Sequence, residues 1–75
     1  MELQVGERVR WRMACHRRID KIVLQKGTPI QVQPVRNDAT LVEILALKAA
    51  AGETVLLLRN NHAGAETVRI TVTGE

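Results

Sequence analysis

Hydrophobic and polar residues alternate over most of this chain, and a period of two predicts strands rather than helices. From Val5 to Met13 the run Val-Gly-Glu-Arg-Val-Arg-Trp-Arg-Met sets Val9, Trp11 and Met13 on one face and Arg8, Arg10 and Arg12 on the other, behind a turn at Gly6. A strand over 5–13 with one wet side follows. Pro29 to Val35 repeats the pattern, with Ile30 and Val32 opposing Gln31 and Gln33 after the turn residues Lys26-Gly27-Thr28. A short apolar run, Thr54-Val55-Leu56-Leu57-Leu58, lies between Gly52 and Asn60-Asn61 and predicts a strand over 54–59 buried on both faces. After a turn from Asn60 to Gly64, Val68, Ile70 and Val72 alternate with Thr67, Arg69, Thr71 and Thr73, whose β-branched content predicts a strand over 66–73.

Two segments admit two readings each. Arg18 to Gln25 has Ile19, Ile22 and Val23 at helical spacing with Gly27 placed as a C-cap, yet Ile22-Val23-Leu24 also reads as a buried strand. Ala39 to Ala51 carries Leu41, Ile44 and Leu45, and Thr40 and Glu43 are spaced as a capping box behind Asp38, which predicts a helix of about three turns. Its rival is a strand from Thr40 to Leu45 and then a loop. The pattern as a whole predicts one mainly β domain over residues 1–75, a small sandwich or barrel-like fold. It has about five strands (5–13, 18–25, 29–35, 54–59 and 66–73) and one short helix near 40–50. An α+β open-faced sandwich is the alternative architecture.

Composition narrows the partners. At 75 residues the chain has room for one core, and 45% hydrophobic with 25% charged residues is globular composition. Trp11 is the sole aromatic residue, so the core is aliphatic and base stacking is nearly excluded; nucleic acid is a poor candidate partner. The net charge of +3 is unevenly spread. Residues 1–36 hold eight basic side chains against three acidic ones, so the basic surface belongs to the first half. No stretch approaches the ~20 apolar residues of a membrane span.

Few residues offer chemistry. Cys15, His16 and His62 are three metal-type ligands without the spacing or number of a structural zinc site, and a lone cysteine forms no internal disulfide. Glycines 6, 27, 52, 64 and 74 are scattered at turns rather than gathered in a phosphate loop. No metal or cofactor is expected. The strongest local signal is the stripe Arg8, Arg10 and Arg12, continued by Arg17 and Arg18: either a solvated strand face that blocks edge pairing or a surface that binds a partner.

The chain resembles the small β-domain at the N-terminus of secretins of type II and type III secretion and pilus systems. The resemblance runs through Val5-Gly6-Glu7-Arg8-Val9, Arg18-Ile19-Asp20-Lys21-Ile22 and Ile30-Gln31-Val32. It continues through Gly52-Glu53-Thr54-Val55-Leu56-Leu57-Leu58, its sharpest part, and closes on Gly64 and Val68-Arg69-Ile70-Thr71-Val72. It implies a non-catalytic assembly module in the periplasm or cell envelope, excised from a longer exported protein. Such a module binds other protein subunits or further copies of itself, takes no small-molecule substrate, and would offer Arg8, Arg10, Arg12, Arg17 and Arg18 as its contact surface. Residues 16–58 also resemble the histidine-containing phosphocarrier of the sugar phosphotransferase system. That second resemblance rests on His16-Arg17-Arg18, Thr40-Leu41-Val42-Glu43-Ile44-Leu45-Ala46-Leu47 and Gly52-Glu53-Thr54-Val55. It implies a cytoplasmic protein that takes phosphate on His16, with Arg18 and a helix N-terminus holding the anion.

Overall fold

A computed structural model describes residues 1–62 and 64–74, with the side chain of Cys15 outside the described set. The elements are β1 (Glu2–Gln4), β2 (Arg8–Arg12), a three-residue 3-10 turn (Ala14–His16), β3 (Lys21–Val23), β4 (Ile30–Val35), β5 (Asp38–Ala46), β6 (Thr54–Asn60) and β7 (Gly64–Thr73). They form two sheets, one ordered β1-β7-β6-β3 and the other β2-β5-β4. All pairings are antiparallel except β1 with β7.

The inner faces of both sheets meet in one aliphatic core. Val42, Ile44 and Ala46 of β5 and Ile30 of β4 pack with Leu56 and Leu58 of β6, Val68, Ile70 and Val72 of β7, and Leu3 of β1. Val9, Trp11 and Val32 are half-buried against it, and Met13 just after β2 is buried. The predicted alternation of Val9, Trp11 and Met13 toward the core is therefore observed. Trp11 fits with a defect: its Nε1 is buried with no hydrogen-bond partner among the described residues, which disfavours its burial.

The mainly β sandwich is as expected, but its parts differ from the sequence reading in four places. The strand expected over 5–13 is shorter, β2 at Arg8–Arg12, and a further strand that the alternation did not predict, β1 at Glu2–Gln4, precedes it in the other sheet. Gly6, at φ +89°, lets the chain turn out of β1, and Glu7 closes that turn by donating its N–H to the Gln4 carbonyl at 2.9 Å. The helix expected near 40–50 is absent, and no α-helix occurs among the described residues; the segment is β5, the central strand of its sheet. Pairing with β2 on one side and β4 on the other satisfies its backbone, and the β-branched Thr40, Val42 and Ile44 suit the pleat. The open-faced α+β alternative falls with the helix. The fifth strand, expected over 18–25, is only Lys21–Val23, and the count rises to seven strands. Finally, β6 is buried on one face alone: Leu56 and Leu58 point into the core while Val55 is 52% exposed, because no layer covers the outside of that sheet.

This layering has a measurable consequence. Ile44→Ala should destabilise by about 2–5 kcal/mol, since it opens a hole between the sheets, whereas Val55→Ala should change stability by less than about 0.5 kcal/mol. Urea denaturation followed by Trp11 emission, which should be blue-shifted in the folded chain, checks both; similar losses for the two variants would show the layers to be wrongly assigned.

Candidate functional site

Strand β2 carries the charged stripe because its odd residues are drawn inward and its even residues must then face water. Arg8, Arg10 and Arg12 all lie on the outer face of the β2-β5-β4 sheet, with side chains 62%, 62% and 41% exposed. The register with β5 sets Arg10 opposite Glu43, and β4 brings Gln33 opposite Glu43 from the other side. Glu43 consequently sits in the middle of the face. Its Oε1 lies 3.5 Å from Arg8 Nε, its Oε2 lies 3.7 Å from Arg10 Nε, and Gln33 Nε2 donates to Oε1 at 3.3 Å. One carboxylate thus serves two guanidiniums, which leaves a positive excess at this end of the stripe. The separations are long, so each pair contributes little on its own.

Arg12 belongs to a separate cluster at the other end of β2. Its Nη1 donates to Thr40 Oγ1 at 2.6 Å and lies 3.3 Å from Asp38 Oδ2. The Thr40 hydroxyl in turn donates to Asp38 Oδ1 at 2.5 Å, and the Thr40 N–H donates to the same oxygen at 2.9 Å. These bonds hold the Asp38 carboxyl below its ordinary value of 3.8. The Thr40 hydroxyl is the main cause, followed by the Thr40 N–H, with Arg12 adding to them and partial burial opposing.

The same guanidinium stands 3.4 Å from His16 Nδ1. Because a guanidinium only donates, Nδ1 is the acceptor in any hydrogen bond between the two. His16 ends the 3-10 turn with φ 55°, the left-handed region that a residue without a glycine's freedom seldom occupies. The turn is anchored at its start, where Ala14 N–H donates to Glu66 Oε2 of β7 at 2.9 Å.

The stripe read from sequence is thus only partly one surface. Arg8, Arg10 and Arg12 share a face, while Arg18 Nε pairs with Asp20 Oδ1 at 3.3 Å, and Arg17 is exposed beyond the turn. The phosphocarrier resemblance implied that Arg18 and the N-terminus of a helix begun by His16-Arg17-Arg18 hold an anion on His16; the guanidinium beside His16 is Arg12, and His16 ends a 3-10 turn that is followed by β3 rather than by a helix. His62 lies in the β6–β7 turn, where its N–H donates to Asn60 Oδ1 at 2.8 Å. Among the described residues no group of three His, Cys, Asp or Glu side chains is placed to hold a metal ion. Sequence reasoning missed Glu43, Asp38 and Thr40 as members of the arginine face, since it assigned them to a helix cap.

Asp38 gives a pH-dependent test. Its carboxyl is more acidic in the folded chain, so the stabilisation is complete above 3.8 and disappears as pH falls through the lowered folded value. Urea midpoints measured from about pH 5 down to about pH 2 should fall more steeply for the native chain than for Asp38→Asn. Parallel curves would show that the Thr40 and Arg12 bonds contribute nothing at that carboxylate.

Compared with family models, curated proteins and solved structures, the chain has no match, so the reading of this face rests on its own geometry.

Proposed function

We propose that this domain is a non-catalytic binding and assembly module of a bacterial envelope secretion or pilus machine, working in the periplasm or cell envelope through the arginine face of β2. The observation that carries the reading is the excess of guanidinium over carboxylate on that face, where Arg8 and Arg10 share Glu43. Exposed cations that outnumber their local counter-charges steer an acidic partner and orient it on contact. Trp11 is turned to the inner layer, which leaves no aromatic ring on this face to stack on a base and favours a protein partner. The resemblance of Gly52–Leu58 and Val68–Val72 to the secretin N-terminal domain supplies the class of machine.

A second reading, phosphoryl transfer through His16, has the contact between Arg12 and His16 Nδ1 in its favour. Against it, the N–H groups of His16 and Arg17 already donate to the Met13 and Ala14 carbonyls within the turn, so they are not available to hold an anion on the ring.

The test is photo-cross-linking from position 10 of the full-length protein in the cell that encodes it. The expected adduct is a subunit of a secretion or pilus machine, and it should weaken in Arg8→Gln in a salt-sensitive way while the melting temperature stays nearly unchanged. Adducts confined to phosphotransferase components would overturn the assembly reading. So would an acid-labile phosphate gained from phosphoenolpyruvate and enzyme I and lost in His16→Ala.

A further inference from the structure

The four sheet edges of this sandwich are not equally open. On β1, the Gln4 N–H is taken by Glu7 Oε1 at 3.0 Å and the Gln4 carbonyl by the Glu7 N–H, so the turn that follows the strand folds over its edge. On β4, Pro34 supplies no N–H and sits at a register shift, two devices that discourage a further strand. Strand β3 is only three residues long. Strand β2 is five residues long, regular in its pairing and without a bulge within Arg8–Arg12.

The phase of the β2–β5 ladder decides what β2 presents on its free side. Met13 N–H donates to the Thr40 carbonyl at 3.0 Å and Ala46 N–H donates to the Glu7 carbonyl at 2.9 Å, so the odd-numbered residues form the hydrogen-bonded pairs with β5. The even-numbered ones, Arg8, Arg10 and Arg12, therefore direct both N–H and C=O away from β5, along the open edge. The three residues with free backbone groups are the same three that carry the guanidiniums. Their side chains stand on the outer face, next to any residue that would pair with that backbone.

We propose that the free edge of β2 accepts an antiparallel extended segment of a partner protein in which acidic residues alternate with apolar ones. Each acidic residue would pair with the backbone of Arg8, Arg10 or Arg12 and place its carboxylate beside that guanidinium, repeating on the open side the arrangement Arg10 already has with Glu43. The apolar residues between them would fall on the inner face, beside half-buried Val9 and Trp11. A second copy of this chain meets the opposite condition. Pairing β2 with β2 sets arginine against arginine, and like charges directly opposed across a ladder repel. The stripe thus rejects self-pairing while selecting an acidic strand. This inference rests on the proposed binding role of the arginine face and adds to it the backbone and the partner's sequence pattern.

The probe is the peptide acetyl-Glu-Val-Glu-Val-Glu-Val-Glu-amide, titrated against the intact domain and followed by Trp11 emission. Binding is expected, with roughly tenfold loss when the glutamates are N-methylated and little change when the valines are, because only the glutamate backbones face β2. Arg10→Pro should weaken binding to a similar degree, since it deletes an edge donor that β5 does not use. The methylated peptides keep the test decisive if that variant fails to fold.

Equal binding of the two methylated peptides, or of a scrambled peptide of the same charge, would overturn strand addition. If Arg8→Gln/Arg12→Gln still weakened binding in that case, charge-driven docking at the stripe would survive. No binding at about 1 mM would also overturn the inference, as would a β2-mediated dimer of the free chain that Arg10→Pro abolishes. The cross-link from position 10 would then judge the assembly role separately.

Discussion

Everything in this molecule depends on the register of β5. It is the central strand of its sheet, and both β2 and β4 hang on it. With Val42, Ile44 and Ala46 inside, Glu43 lies outside between Arg10 and Gln33. A slip of one residue would bury the carboxylate among leucines and expose the apolar set, at a free-energy cost far above what the surface pairs could recover. An aliphatic core without Phe or Tyr makes this constraint strict, because Val, Ile and Leu fill the space between two sheets only when both inner layers present them in step. Core and arginine face are therefore two sides of one register.

The strands near 29–35 and 66–73 were legible from alternation and the strand near 54–59 from a short apolar run between turn residues, because these signals act locally. Residues 39–51 were not. Leu41, Ile44 and Leu45 satisfy helical spacing, but the Thr40 N–H that a capping box would pair with Glu43 donates instead to Asp38 Oδ1, a bond that here opens a strand. Local side-chain bonds of Asp and Thr fit either element, and what decides is pairing with β4 across a hairpin and with β2, which lies distant in the chain. Likewise the separate strand β1 needs the knowledge that residues 2–4 belong beside β7, almost a full chain length away.

The site shows the same split. Alternation alone put Arg8, Arg10 and Arg12 on one face. Their partners required a register: Glu43 meets Arg10 only because β5 is a strand in that alignment, and Asp38 meets Arg12 only through the start of the same strand. Arg17 and Arg18 were grouped with the stripe by nearness in sequence, yet the 3-10 turn at Ala14–His16 leads the chain away from β2, and Arg18 turns to Asp20.

The parallel pairing of β1 with β7 bears on how the chain reaches this state. The β4–β5 and β6–β7 hairpins join neighbouring residues, so their closure loses little loop entropy. In β1 the partners of Glu2, Leu3 and Gln4 are Thr71, Val72 and Thr73, and Leu3 is a core residue. Its place in the core therefore depends on a partner strand at the other end of the chain. Among the strand pairings this one closes the longest loop and so carries the largest loop-entropy cost, the kind of non-local closure that makes sandwiches fold slowly, in about milliseconds to seconds.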